Sequence, residues 1–263
     1  MSITDWQPFQ YLEQHGSKGK VTPAFYTKGL KEQDKGDETT LGVTPKLMEY
    51  WKRYSPQLFV TASHATQFNL EMPFGKGLIV SGNNRFYALD KKQFREFTTF
   101  LRGVLFNGKE DDLLSFLNRI KAPVIETRPV PAVWVAAGNC LIGDAKKTKN
   151  SMAVTALSRY GFNQLVGYTV PSWYGKGGWG TLGLLFSNHD ASNLAEAWYL
   201  NNQFILDETM TRFPKLMDVH FNSPDINGIK NDPDFARGMN SAGYGMGKGQ
   251  LGLIHDRDTV AFY

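Results

Sequence analysis

The sequence predicts an α/β fold, a three-layer sandwich around a mostly parallel central sheet. Apolar runs typical of buried strands, at 57–66, 131–140 and 163–170, alternate with segments of helical periodicity. The chain has 263 residues, of which 41% are hydrophobic, enough for one large core. We expect residues 1–43 to be an irregular extension and residues 44–263 to form a single domain.

The remaining elements follow in chain order. Thr44 and Pro45 predict the start of a helix that ends before Pro56. The segments on either side of Gly82-Asn83-Asn84 are typical of a hairpin, whereas 92–106 fits either a helix or a strand. The later predictions are helices at 109–123, 151–161 and 191–207, a Gly/Trp loop at 171–180, a loop-rich segment at 221–250 and a final strand at 259–263.

Charge and cysteine content exclude several classes of function. The net charge is +4 and the charges are interspersed, so we expect no nucleic-acid groove, and Lys146-Lys147-Thr148-Lys149 is read as a solvated loop. One cysteine excludes an intrachain disulfide and any multi-cysteine metal site. No stretch reaches the roughly 18 apolar residues of a membrane span, and the N-terminus lacks the profile of a signal peptide.

Two of the predicted strands end in chemically reactive residues. The run "LFVTASH" ends in His64, and "AVWVAAGNC" ends in Cys140, just after a turn-forming Gly138-Asn139 pair. Functional groups of parallel sheets lie at the carboxyl ends of the strands. If the two strands are neighbours, a thiol and an imidazole therefore meet in one crevice, the pairing that nucleophilic cysteine catalysis requires.

This order of segments resembles the caspase-like cysteine peptidases, and among them most closely the gingipain-type bacterial group. The resemblance covers a strand that ends in His64 and a second strand that ends in the pattern small residue–any residue–Cys140. It continues through the segments "SMAVTALSRYG" and "FNQLVGYTV". It implies a caspase-like sandwich, a protein or peptide substrate, no required cofactor, and a secreted or periplasmic location. The "HDRDTVAFY" ending is similar to the late strand of that group.

The resemblance also implies roles for individual residues. Cys140 is the expected nucleophile, His64 the expected acid for the leaving amine, and the N–H groups of Cys140 and Ala65 the expected oxyanion donors. Ala65 departs from the glycine usual after the histidine. The expected substrate pocket comprises Ser172, Trp173, Tyr174 and Trp179, with Asp144 as a candidate for charge preference.

Other interpretations stay open. Cys140 and His64 are both compatible with ordinary core packing, and the domain with an inactive module or a carbohydrate-binding protein that uses the aromatic loop. His15-Gly16 is a weaker candidate for the catalytic histidine, because its surroundings are polar. The pairs His189-Asp190 and His255-Asp256 are interpreted as surface or capping residues, with metal or acid–base pairs as the alternative. "NDPD" at 231–234 is interpreted as a turn, with calcium binding as the alternative, and "GYGMGKGQ" as a flexible loop.

Overall fold

A computed structural model of the chain describes residues 2–4, 52, 57–71, 77–90, 92–97, 99, 110–127, 130–145, 150–172, 176–186, 193–220 and 248–263. The predictions at 146–149, 173–174, 189–190, 231–234 and most of those at 44–55 and 221–250 lie outside these residues, as does His15. Lys52, the described part of the predicted helix at 44–55, is helical.

The described residues include two sheets and five α-helices with described bounds, and residues 92–97 are helical as well. The strands are β1 (Ser2–Thr4), β2 (Leu58–Ala62), β3 (Ala65–Thr66), β4 (Asn69–Glu71), β5 (Gly77–Gly82), β6 (Arg85–Asp90), β7 (Ala132–Ala136), β8 (Phe162–Tyr168) and β9 (Val260–Phe262). The helices are α1 (Glu110–Arg119), α2 (Met152–Arg159), α3 (Lys176–Phe186), α4 (Leu194–Arg212) and α5 (Lys248–Thr259), with a 3-10 helix at Pro214–Asp218.

The main sheet has the strand order β1-β2-β7-β8-β9. Its first four strands are parallel, and β9 runs antiparallel to β8. The α/β prediction with a mostly parallel sheet is therefore confirmed. Strand β1 lies within the segment 1–43, and the boundary at residue 43 stays a prediction, since residues 5–51 lie outside the described part.

The strands β2, β7 and β8 form where the sequence is apolar and rich in valine and aromatic residues. Such runs are typical of strands that are covered on both faces. Phe59, Trp134 and Phe162 pack together on one face, with ring centroids 5.3–5.8 Å apart. The strands end earlier than the apolar runs suggest: β2 at Ala62 and β7 at Ala136. The candidate residues therefore lie beyond the strands, in the turns that follow.

The second sheet is antiparallel, with the order β3-β4-β5-β6. The predicted hairpin of β5 and β6 is confirmed, with Asn83 and Asn84 at φ 49° and 53°. Two consecutive positive φ values are the signature of the type I′ turn, which asparagine tolerates better than most residues. The outer face of this sheet packs on Phe97, Leu113, Phe116 and Leu117, from the helical residues 92–97 and from α1.

Helix α2 joins the two sheets. The Ser151 hydroxyl caps it by accepting the Val154 N–H at 3.2 Å, and Gly161, at φ 70°, follows its last turn as predicted. Tyr160 ends the helix, and its hydroxyl accepts the Phe86 N–H at 2.9 Å and donates to the Ile125 carbonyl at 2.8 Å. One phenol therefore connects the inner helix to the antiparallel layer.

Helices α3 and α4 cover the opposite face of the main sheet. Leu182 and Leu194 pack there against Val135 and Val166. The expected loop at 171–180 is wrong from residue 176 onward, because "KGGWGTLGLLF" is the helix α3. The predicted helix at 191–207 is confirmed as α4, which extends to Arg212.

Close packing explains why a glycine-rich segment is helical here. A Cβ at Gly178 would overlap the carbonyl group of Ala137, just beyond β7. A Cβ at Gly177 would meet the Val260 side chain, and one at Gly180 the side-chain amide of Asn201. These glycines offset their poor helix propensity by letting the first turns of α3 lie directly against β7, β9 and α4.

The substitution Gly178→Ala should destabilise the fold by about 1–3 kcal/mol, because the added methyl forces α3 away from Ala137. Urea unfolding followed by circular dichroism measures this change. Without the close contact, alanine would be the better helix former by up to about 1 kcal/mol. An unchanged or increased stability of Gly178→Ala would therefore contradict the close-packing explanation.

Removing the phenol in Tyr160→Phe should cost about 1–3 kcal/mol, because the Phe86 N–H and the Ile125 carbonyl lose a buried partner. Burial also raises the pKa of the Tyr160 hydroxyl. The native state therefore holds this proton more tightly than the unfolded chain, so its contribution is complete below pH 10 and is lost as the pH rises above that value. Wild-type stability should fall more steeply than that of Tyr160→Phe in urea titrations between pH 9 and 11.

Candidate active site

The thiol and the imidazole lie at the carboxyl ends of neighbouring parallel strands. His64 is two residues beyond β2, and Cys140 is four residues beyond β7. These strands pair in parallel from Leu58↔Val133 to Thr61↔Ala136. His64 is exposed and Cys140 is partly exposed, so neither residue is a fully buried core side chain.

A buried amide connects the two strand ends. The Asn139 side chain donates to the Ser63 carbonyl at 2.8 Å and to the Ser63 hydroxyl at 3.2 Å. Its oxygen accepts a hydrogen bond from the Thr61 hydroxyl. Asn139 therefore does more than form the expected turn. It directly precedes Cys140, and its side chain binds Ser63, which directly precedes His64.

The network around this amide is complete. The Trp134 indole N–H donates to the Thr61 hydroxyl at 2.8 Å, and the Ser63 hydroxyl donates to the Glu71 carbonyl at 2.8 Å. Thr61 and Asn139 are fully buried, and Ser63 is 5% exposed. The hydrogen bonds run from the Trp134 indole through the Thr61 hydroxyl to Asn139. From Asn139 they continue through the Ser63 hydroxyl to the Glu71 carbonyl. A buried network satisfied in this way fixes one arrangement of its members.

The Cys140 sulfur accepts a hydrogen bond from the backbone N–H of Ser172, at 3.3 Å. Ser172 lies four residues beyond β8, so the third parallel strand also contributes to this edge of the sheet. We expected the Ser172 side chain to contact substrate. The structure brings the residue to the thiol itself, through its main chain. A donor aimed at sulfur favours the thiolate, the nucleophilic form.

The turn after the thiol has an unusual conformation. Leu141 has φ 58°, a region that a leucine side chain disfavours. Its N–H donates to the Val170 carbonyl at 3.2 Å, and the Gly143 N–H donates to the Tyr168 carbonyl at 2.9 Å. A Cβ at Gly143 would overlap the carbonyl group of Gly167. Strained backbone held by surrounding contacts is characteristic of functional sites.

The predicted oxyanion donor Ala65 is the first residue of β3. The Glu71 N–H donates to the His64 carbonyl at 2.9 Å, and Ala65 lies opposite Leu70. Hydrogen-bonded and non-hydrogen-bonded pairs alternate in an antiparallel ladder. The Ala65 N–H is therefore on the side of the strand that faces away from β4, an orientation that an oxyanion donor requires. Its role stays a prediction.

The expected substrate pocket is only partly described. Trp179 lies on α3, not in a loop, and packs against the cluster of Val60, Val135 and Val166. Asp144 is half-buried beyond the thiol turn. Burial first, and then the charge of Asp144, raise the pKa of Tyr263, whose hydroxyl donates to the Gly143 carbonyl at 2.6 Å. A role for Asp144 in charge preference stays a prediction.

The sequence analysis was wrong about His255 and Asp256. Both lie inside α5 and are fully buried. The His255 Nε2 atom is 2.9 Å from the Pro171 carbonyl oxygen, and Nδ1 is 3.0 Å from the Asp256 Oδ1 atom. The His255 ring stacks on Tyr168 at 5.6 Å. In the sequence these residues resemble a charged helix end, and only the position of α5 beside β8 buries them.

Among the described residues, no three His, Cys, Asp or Glu side chains are grouped so as to hold a metal ion. The calcium alternative at 231–234 is outside these residues. Within the same part of the chain, no helix combines the length and the apolar character needed to cross a membrane.

The Asn139→Ala substitution should destabilise the fold by about 2–3 kcal/mol, because it leaves the Thr61 hydroxyl and the Ser63 carbonyl buried without their partner. Urea unfolding gives the value. Asn202→Ala is the matched control, since Asn202 is half-buried and, among the described residues, donates to the Trp198 carbonyl within its own helix, at 2.9 Å. It should cost less than about 1 kcal/mol, and equal losses would contradict the central place of Asn139.

Comparison with protein-family models, curated proteins and solved structures finds no match to this chain. The functional argument therefore depends on the geometry of the chain's own residues.

Proposed function

We propose that the protein is a cysteine endopeptidase that hydrolyses peptide bonds with Cys140 as nucleophile and His64 as general acid. One observation carries the proposal: the turns that bear the two residues follow neighbouring parallel strands and are tied together by the hydrogen bond from Asn139 to the Ser63 carbonyl, at 2.8 Å. This bond holds the main chain beside the thiol against the main chain beside the imidazole.

The chemistry needs no group beyond those on the chain. The Cys140 thiolate attacks the scissile carbonyl carbon, and the carbon–nitrogen bond breaks as His64 gives a proton to the leaving amine. Water then attacks the resulting thioester, which releases the carboxylic acid and restores the thiol. The N–H groups of Cys140 and Ala65 are the proposed donors to the oxyanion that forms in both steps.

The finer fold assignment, a caspase-like sandwich, belongs to the same proposal. The resemblance implies a histidine-bearing strand, an excursion, a cysteine-bearing strand, then a helix and another strand. The order of β2, the antiparallel sheet with α1, β7, α2 and β8 agrees with it. The adjacency of β2 and β7 supports it further. The likeness to the gingipain-type group stays an expectation from the sequence alone.

The exposure of the two residues supports an enzyme over a core-packing role. His64 is exposed, and Cys140 is partly exposed while its sulfur accepts the Ser172 N–H. A cysteine placed only to fill the core has no need of a donor at its sulfur. The strained Leu141, directly after the thiol, is consistent with a backbone shaped for substrate.

Hydrolysis of fluorogenic peptides tests the proposal. The panel places Asp, Asn, Arg or Lys before the cleaved bond, because the sequence leaves this preference open. With a cleaved peptide, Cys140→Ala should abolish activity, and His64→Ala should lower kcat/KM by about 10²–10⁴. His220→Ala, which removes an exposed histidine at the end of the 3-10 helix region, should leave kcat/KM unchanged.

Alkylation gives a second, substrate-free measurement. Iodoacetamide should modify Cys140 in the native protein well below pH 8, and His64→Ala should slow that reaction. A thiol that reacts only after unfolding, together with no peptide cleavage, would overturn the proposal and favour an inactive module.

A further inference from the structure

One peptide group connects the buried histidine to the thiol. The carbonyl oxygen of the Pro171–Ser172 peptide bond is 2.9 Å from the His255 Nε2 atom. The N–H of that same peptide bond donates to the Cys140 sulfur at 3.3 Å. His255 and Cys140 therefore occupy the two ends of a single amide, although 115 positions separate them in the chain.

Hydrogen-bond accounting assigns the donor at the carbonyl end. A carbonyl oxygen only accepts, so the His255 Nε2 atom carries a hydrogen. The Nδ1 atom of the same ring lies 3.0 Å from the Asp256 carboxylate. Two acceptors without a hydrogen between them would repel each other at this distance, so a proton lies between Nδ1 and Oδ1, whichever atom holds it. The imidazole thus donates to the Pro171 carbonyl through Nε2, while Asp256 lies at its other nitrogen, Nδ1.

Asp256 is itself held by the main chain of α3. Its Oδ2 atom accepts the Gly177 N–H at 3.1 Å, at the first turn of that helix. The Tyr168 hydroxyl accepts the Gly178 N–H at 3.3 Å, and Tyr168 stacks on His255. His255, Asp256 and Tyr168 are all fully buried. Within the part of the chain that the structure describes, Tyr168, from β8, and Asp256, from α5, are titratable groups that lie against the imidazole.

We propose that His255, oriented by Asp256, is a positioning residue that strengthens the Ser172 N–H as a donor to the Cys140 thiolate. The biological meaning of this inference rests on the proposed peptidase function. A donor at the carbonyl oxygen of an amide polarises that amide and makes its N–H a better donor. Burial increases the effect, because water does not compete for either end. The thiolate is thereby favoured by a group that never touches substrate.

The pH dependence of Cys140 alkylation measures this effect without any peptide substrate. In His255→Gln the side-chain amide can still donate to the Pro171 carbonyl, but the contact between the imidazole Nδ1 atom and Asp256 is lost. The pH midpoint of iodoacetamide alkylation should rise by about one unit, and the rate at pH 6 should fall about tenfold. The double variant His255→Gln/Asp256→Asn should give the same rise, and it keeps the buried site free of an unpaired charge.

A pair of substitutions at Ser172 separates action through the peptide from action through space. Ser172→Pro deletes the N–H and should raise the alkylation midpoint, whereas Ser172→Ala keeps the N–H and should leave it unchanged. Adding His255→Gln to Ser172→Pro should cause no further rise, because the connecting donor is already absent. Additive rises would show that His255 acts on the thiol directly, and would overturn the proposal.

The outcomes also distinguish this inference from the proposed function. A raised midpoint in folded His255→Gln, with no cleavage of any peptide by the wild type, supports the inference and counts against the peptidase. Peptide cleavage that depends on His64, with an unchanged midpoint in His255→Gln or in the double variant, overturns the inference alone. A wild-type thiol that reacts only on unfolding overturns both. Circular dichroism and the urea midpoint establish that each variant is folded.

Discussion

The arrangement of the candidate site depends on the side-chain amide of Asn139. Parallel pairing fixes the spacing of β2 and β7 along the strands, but it ends before either reactive residue. Beyond that point a long backbone hydrogen bond, from the Gly138 N–H to the Thr61 carbonyl at 3.4 Å, continues the connection, and side chains hold the two segments together. Asn139 does this with three hydrogen bonds to residues on the other side, all in a site without competing water. An amide suits the task because it both donates and accepts.

The helix α3 imposes a second constraint, from the opposite face of the sheet. Its glycines bring the first turn against Ala137, Val260 and α4. That closeness places the N–H groups of Gly177 and Gly178 where Asp256 and Tyr168 meet them. Bulkier residues would move α3 outward and take the Gly177 N–H away from the buried Asp256 side chain, at a cost in free energy. The small residues in α3 and the His255-Asp256 pair in α5 therefore depend on each other.

Sequence patterns predicted what depends on local interactions. The type I′ turn at Asn83 and Asn84, the capped helix α2 and the buried strands β2 and β7 all follow from residue type and period. The adjacency of β2 and β7, which the sequence left conditional, is what gives the predicted pair of Cys140 and His64 a common edge. Composition misled at α3, because glycines that usually mark a loop here serve close packing. It also misled at His255, since its burial depends on partners such as Pro171, 84 positions away.

In the proposed site, exposed groups face substrate and buried groups support them. This arrangement accounts for a main-chain donor at the Cys140 sulfur. The partly exposed Cys140 sulfur accepts its hydrogen bond from a peptide N–H, so no side chain is needed as the donor. A neutral peptide N–H is by itself a modest donor. According to the proposal, the buried His255 and Asp256 side chains at the carbonyl end of the same peptide group strengthen that donor without any exposed side chain. His64 is exposed and has a separate proposed task, the transfer of a proton to the leaving amine. The substitution of His64 should slow alkylation of Cys140, yet it leaves the main-chain donor at the sulfur in place.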